Sequence, residues 1–252
     1  MPLPLLLRRI AATVVDPHRI RGLATLPRFI ADWRALRRAG TSLRLRDLYP
    51  QLGDRLPRTP FDPHYVLQAG WLARRIAERR PALHVDVGSD VRLIATLSAF
   101  VPVEFIDLRP PALSLPGLTC RAGDARHLDA ADASIASLSC LHVIEHVGLG
   151  RYGDPIDPEG HAHAARELVR ALAPGGRLYV STPVGRPRIE FNAHRVFDAE
   201  AFAALFAPLR LAHFAFVDDG GELRTTAAPT DTRTSEYACG LFEFTAPGGA
   251  SP

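Results

Sequence analysis

Between Pro81 and Pro183 the chain is a series of short apolar runs separated by turns and helical stretches, a pattern that few folds accept. LHVDV (83–87), VEFIDL (103–108) and SIASLSC (134–140) are apolar on both faces and too short to be buried helices. A strand that is apolar on both faces must be covered on both, which predicts a parallel sheet between two layers of helix. GRLYVST (176–182) reads as a further strand, introduced by APGG after a helix over PEGHAHAARELVRAL (158–172). The alternation predicts a doubly wound α/β architecture.

The end of the chain departs from that alternation. DAEAFAALF (198–206) reads as a helix, and LRLAHFAFVDD (209–219) and YACGLFEFTA (237–246) as two long strands with no helix between them. They predict an antiparallel pair at the sheet edge. The expected fold is therefore Rossmann-like, with a mostly parallel seven-stranded sheet and an antiparallel C-terminal edge strand. Upstream, Asp62-Pro63 is a cap and first-turn pair that opens a helix running to Pro81, and LPRFIADWRALRR (26–38) has apolar residues at helical spacing. The expected divisions are a basic, mainly helical segment over 1–60, one domain over 61–246 and a disordered tail over 247–252.

Charge separates the same parts. Residues 1–60 carry 12 Arg against 4 Asp, a local +8, whereas the rest is −5, and the chain has no Lys. A basic arm attracts anionic lipid or nucleic acid, and a solvated helical face is the alternative reading. The three cysteines, Cys120, Cys140 and Cys239, are far apart and odd in number, which fits neither a disulfide framework nor paired zinc spacing. Arg8 and Arg9 follow the first apolar run instead of preceding it, unlike a secretory signal, and no run approaches a membrane span. The expectation is a cytoplasmic protein, with peripheral contact to anionic membrane through the N-terminal segment.

In open α/β sheets ligands bind beyond the carboxyl ends of the strands. The first strand there runs into Asp86, Gly88 and Ser89, where glycine permits a tight turn and close backbone approach. Asp107 ends the next strand about 20 residues later, the spacing at which an acid accepts hydrogen bonds from ribose hydroxyls. Asp124 and Ala125 follow LTCRA (118–122) and face the same crevice, where a carboxylate can accept from an adenine amine; a turn cap is the plainer role.

The ordered series VDVGS, FIDL, GDA, SLSCLHVIEHV and LAPGGRLYVSTP resembles class I S-adenosylmethionine-dependent methyltransferases from about Leu83 to Pro183, and the closing strand pair extends the likeness to residue 246. FDPHYVLQAGW, LHVIEHVGLGRYGDPIDPEG and FNAHRVF are similar to a methyltransferase-like family of undefined function associated with bacterial surface-polysaccharide loci. The resemblance implies S-adenosylmethionine as cofactor, with Asp86, Gly88 and Ser89 in the nucleotide loop, Asp107 on the ribose, Asp124 and Ala125 at the adenine, and Ser139 and Cys140 beside the methionine part. The second and third glycines of the usual loop are replaced by Asp90 and Arg92, which puts close backbone approach to the cofactor in question.

Methyl transfer to a hydroxyl requires alignment and a base, and histidine has the pKa for that task. His142, His146 and His194 are the candidates, with the last two favoured. Glu145, Arg151, Tyr152, Asp154 and Asp157, in a connection long for its place, and Asn192 and Arg195 are the candidate acceptor-binding residues. No metal is expected, because these residues lack metal-ligand spacing. The leading expectation is O-methylation of a sugar, glycolipid or other small polar acceptor. A silent binding module is the alternative, and a nucleic-acid methyltransferase ranks below it because the core is acidic and nucleic acid is an unlikely partner for it.

Overall fold

The structure is a computed structural model that describes residues 22–248. Residues 1–21, with the leading apolar run and part of the basic segment, and residues 249–252 of the expected tail lie outside the described residues. Two compact units divide after Phe61.

In the first unit, α1 (Leu26–Arg38) starts with proline in its first turn and ends on Arg37 and Arg38, whose charge complements the helix C-terminus. It buries no residue. The Thr25 hydroxyl bonds the carbonyls of Gly22 and Leu52 at 2.8 and 2.7 Å, tying the helix start to the chain 27 residues on.

The second unit opens with α2 (Pro63–Arg79), where the Asp62 carboxylate accepts from the His64 and Tyr65 amides as the sequence signal predicts. The strands follow as β1 (His84–Val87), β2 (Val103–Asp107), β3 (Leu118–Ala122), β4 (Ile135–Leu141) and β5 (Leu172–Val184). Helix α3 (Val91–Leu97) joins β1 to β2, and α4 (Gly160–Ala171) precedes β5. A hairpin of β6 (Arg188–Glu190) and β7 (His194–Val196) leads to α5 (Ala199–Ala204), then β8 (Arg210–Val217), β9 (Leu223–Arg224) and β10 (Ala238–Thr245).

The main sheet has the order β3-β2-β1-β4-β5-β10-β8-β9. It is a Rossmann-like sheet, parallel from β3 to β5, and β10 runs antiparallel to both β5 and β8. Two features sharpen the expected topology. An eighth strand, the two-residue β9, is added at the edge, and β10 lies between β5 and β8 instead of at the edge. Insertion there buries β10 on both sides, consistent with the nearly continuous burial of ACGLFEFT.

APGG also differs from its reading as a lead-in turn. Pairing begins at Ile135↔Leu172 and resumes at Ser137↔Arg177, so APGG is an irregularity within the β5 ladder. A Cβ on Gly176 would sit 2.7 Å from the Ala173 carbonyl oxygen, which explains glycine at that point. LTCRA is a strand because it pairs along its whole length with β2.

One core, centred on Leu168, Leu178, Phe202 and Phe242, packs α4 and α5 on one face of the sheet; the other packs Trp71, Leu72 and Ile76 of α2 and Leu93, Ile94 and Leu97 of α3 on the opposite face. Glu243, buried on β10, binds Arg75 and Arg79 of α2 and Arg177 of β5 at 3.1–3.5 Å, pinning α2 to the sheet. No helix among the described residues is long and apolar enough to cross a membrane.

Candidate functional site

The register brings the strand ends together. Val87 pairs with Ile106, Asp107 with Ala122, Asp86 with Ser139, and Leu141 with Ser181. Beyond these ends opens a cleft of about 230 Å³, walled by Val87, Ile106, Leu108, Ala125, Val143 and Val147. Its polar groups are Asp107, Asp124, Arg109, Arg126, His142, His146, Tyr152 and Asp154. Gly88 turns the chain at φ +73°, and Val143 packs against its bare Cα so closely that a Cβ would meet the valine methyls at 3.1 and 3.2 Å. Asp107 accepts from the Arg109 amide through Oδ1 at 2.7 Å, and no described residue donates to its Oδ2. The Asp124 carboxylate is gripped by its neighbour Arg126, at 2.6 Å from Nη2, which holds its pKa below the usual range.

Asp90 and Arg92 do not line this cleft. Asp90 caps α3 by accepting from the Arg92 amide at 2.8 Å, and the exposed Arg92 guanidinium folds back onto the same carboxylate. Asp90 and Arg92 therefore build a helix cap, and its charge is neutralised on the spot.

Asp86, Ser89, Ser139 and Cys140 are buried behind the loop, outside the cleft lining. Asp86 accepts from the Ser89 amide (3.0 Å), the Ser89 hydroxyl (2.7 Å) and the Ser139 hydroxyl, and Ser139 in turn bonds His84 Nε2 at 2.9 Å. Burial raises the Asp86 pKa to about 6 against the pull of those hydrogen bonds, and burial lowers that of His84 to about 4. The two act in opposite directions. Folded Asp86 holds a proton that the unfolded chain releases near 4, so its contribution to stability is complete below about pH 4 and declines as pH rises through about 6. Folded His84 lacks a proton that the unfolded chain binds below 6.5, so its contribution grows as pH rises from about 4 to 6.5. Each integrates to about 3 kcal/mol. Relative to wild type, Asp86→Asn should therefore steepen the rise of stability over this window and His84→Gln should flatten it. Urea melts at three pH values test this, and parallel curves for Asp86→Asn and wild type would refute it.

The segment after β4 is shaped by three glycines at positive φ, Gly148 (+80°), Gly150 (+71°) and Gly153 (+87°). Asp154 accepts from the Gly148, Gly150 and Tyr152 amides at 2.7, 3.4 and 3.2 Å, satisfying donors that no strand or helix would pair. Asp157 receives the Glu159 amide and His163. Arg195 on β7 is buried, with Nη1 2.7 Å from the Val147 carbonyl and Nη2 3.3 Å from that of Pro158. Asp154, Asp157 and Arg195 thus hold the loop in shape. Arg151 reaches the Ala193 carbonyl at 3.0 Å, and Asn192 is exposed in the β6–β7 turn, away from the cleft lining.

The histidines meet in one ring cluster. His146 stands edge-on to Tyr152 and His194; His194 packs on Tyr237, Tyr237 on His64, and His142 lies between His64 and Tyr65 with centroids 5.3–5.7 Å away. The Tyr152 ring is flanked by the guanidinium groups of Arg109 and Arg151 at 4.7 and 5.1 Å. His146 Nδ1 is 2.6 Å from the Ala193 carbonyl. A carbonyl can only accept, so Nδ1 carries the hydrogen and Nε2 the lone pair, 3.8 Å from Glu145 Oε1. Burial lowers the His146 pKa against the pull of Glu145. His194 Nε2 is buried without a hydrogen-bond partner among the described residues.

Glu145 is fully buried, with Oε1 2.7 Å from His142 Nδ1. Against the effect of burial, His142 keeps the Glu145 carboxyl below the usual carboxylate range, and Cys239 and Glu145 keep His142 well above the usual imidazole range. His142 Nε2 is 3.3 Å from Cys239 Sγ. His64, Tyr65, Tyr237 and Cys239 escaped the sequence reading as site residues. The first two fall inside FDPHYVLQAGW, a motif whose spacing carries no chemistry until α2 is laid against β4 and β10.

A family profile described as Caenorhabditis protein of unknown function, DUF268, matches residues 126–225, less than half of the chain. No curated protein matches by sequence. Among solved structures, a candidate sarcosine dimethylglycine methyltransferase from Galdieria sulphuraria is similar at 14% identity and TM-score 0.53, over 72% of this chain and 86% of that one. N-methyltransferase NodS from Bradyrhizobium japonicum WM9, in complex with S-adenosyl-L-homocysteine, is similar at 16% identity and TM-score 0.50, over 80% and 95%. A candidate methyltransferase from Bacillus halodurans C-125 is similar at 14% and 0.50, over 69% and 98%. At these identities the likeness is one of fold.

Proposed function

We propose that this chain is an S-adenosylmethionine-dependent methyltransferase that methylates a hydroxyl of a small polar acceptor. The observation that carries the reading is that one cleft at the carboxyl ends of β1 to β4 joins a ribose-type acceptor, Asp107, to a histidine with its lone pair available, His146. The residues fit the cofactor. Asp107, with Oδ1 already oriented by the Arg109 amide, offers Oδ2 to a diol; Ile106, Leu108, Ala125 and Val143 wall the space for a purine; Asp124 stands where an exocyclic amine would be met. The bound cofactor supplies an electrophilic methyl group on sulfonium sulfur.

The chain then has two tasks, alignment and proton removal. His146 Nε2 takes the acceptor proton, the Ala193 carbonyl fixes its tautomer through Nδ1, and the Glu145 carboxylate stabilises the resulting cation. Tyr152, with Arg109 and Arg151 over its ring, groups a phenol hydroxyl and two guanidinium donors for the acceptor, which suits a polyhydroxy ring. A role in surface-polysaccharide synthesis rests on the sequence resemblance alone. Cytoplasmic placement, with the basic N-terminal segment contacting an anionic membrane surface, belongs to the same proposal.

Calorimetric titration with S-adenosylhomocysteine is expected to show one site of micromolar affinity; no heat up to millimolar ligand would leave a binding module without the cofactor. His146→Gln should keep that affinity while reducing transfer of labelled methyl into a polar lipid and glycan extract by about 10²- to 10⁴-fold. Undiminished transfer would remove His146 from the reaction.

A further inference from the structure

At the border of the cleft, the ring cluster contains an arrangement that methyl transfer does not use. A ring nitrogen of His64, one of His142 and Cys239 Sγ all lie within 4.8 Å of one another. They come from three separate places: the first turn of α2, the residue after β4 and the second residue of β10. Strands β4 and β10 flank β5 on opposite sides, and pairing of Leu141 with Ser181 and of Cys239 with Pro183 brings the last two to the same end of β5.

We propose that His64, His142 and Cys239 bind a zinc ion, with Glu145 as the residue that orients His142. Two imidazoles and a thiolate are a borderline-soft donor set, suited to Zn²⁺ and unsuited to Mg²⁺ or Ca²⁺. At zinc–sulfur and zinc–nitrogen bonds of about 2.3 and 2.0 Å, tetrahedral geometry separates sulfur from nitrogen by about 3.5 Å. His142 Nε2 and Cys239 Sγ stand 3.3 Å apart, within a few tenths of an ångström of that span.

The surroundings are those of a metal-ligating histidine. Such a residue as a rule gives its second ring nitrogen to a carboxylate, and His142 Nδ1 is 2.7 Å from Glu145 Oε1. Glu145 is itself held through Oε2 by the Thr182 hydroxyl at 3.5 Å. His142 also has φ +54°, a left-handed conformation that costs a non-glycine residue about 1–2 kcal/mol and occurs where the surroundings enforce an orientation. Three protein ligands leave a fourth position for water or a ligand oxygen, the pattern of catalytic zinc sites. His142 lines the cleft, which gives the ion a way in. The proposal stands whether or not the nucleotide cofactor binds.

Elemental analysis of the full chain, dialysed after incubation with Zn²⁺, tests it. About one equivalent of zinc per chain is expected, and Co²⁺ in its place should give a sulfur-to-metal charge-transfer band. Cys239→Ala should abolish the band, and His64→Gln, at the half-buried start of α2, should reduce retained zinc at least tenfold while circular dichroism stays native. Glu145→Gln should weaken zinc binding about 10- to 100-fold. Less than a tenth of an equivalent in folded wild-type protein, stoichiometric copper in place of zinc, or full zinc retention by folded His64→Gln would overturn the assignment.

Discussion

Gly148→Ala is expected to destabilise the domain by more than about 4 kcal/mol, a large part of the roughly 5–15 kcal/mol that holds a typical domain together. Two costs combine. At φ +80° an alanine pays about 1–2 kcal/mol in backbone strain. Its Cβ would also overlap the Asp157 carbonyl oxygen and press on the Asp157 carbonyl carbon at 2.9 Å. Asp157 cannot retreat, because the Gly148 carbonyl accepts the Asp157 amide at 3.0 Å and the Asp157 carbonyl accepts the Gly160 amide at 3.1 Å where α4 begins. The strain must open the loop that carries Tyr152 and Asp154 into the cleft. Gly153→Ala is the matched control, since φ is +87° but nothing lies within 4 Å of the added methyl, and it should cost only about 1–2 kcal/mol. Urea denaturation of the two variants decides it: equal midpoints would mean that overlap at Gly148 is relieved cheaply.

That loop also shows where sequence reasoning reaches its limit. Asp154, Asp157 and Arg195 stand in the sequence as polar groups ready for an acceptor, and each is instead engaged with backbone groups left unpaired by a glycine-rich turn. A side chain that closes a turn and one that binds a ligand have the same composition signature; only the destination of its hydrogen bonds separates them. Features governed by local rules were legible. Asp62-Pro63 set the start of α2, two-faced apolarity set β1, β2 and β4, and position at a strand end set Asp107 and His146 in one cleft. Features governed by pairing were not. The place of β10 between β5 and β8 depends on partners far along the chain. The meeting of His64, His142 and Cys239 is the extreme case, since ligands 78 and 97 residues apart leave no spacing to recognise.

Asp107→Ala is expected to weaken binding of S-adenosylhomocysteine at least 100-fold while leaving the fold intact. The carboxylate lies at the last residue of β2, half-buried, and among the described residues its only hydrogen bond is from the Arg109 amide to Oδ1. Removing it therefore strands one exposed amide that water can satisfy, a loss of about 1 kcal/mol or less to stability. In the complex the same group would accept two ribose hydroxyls, and hydrogen bonds to a charged acceptor contribute about 1.5–3 kcal/mol each, so losing both amounts to a factor of about 10² to 10⁴. Asp124→Ala should have a smaller effect, because Arg126 already occupies that carboxylate and would have to share it with an adenine amine. The ranking of the two variants is thus more diagnostic than either value alone. Calorimetry that found Asp124→Ala the more damaging would place the nucleoside elsewhere in the cleft, and equal, undiminished affinity in both would mean that the ligand binds without either acid.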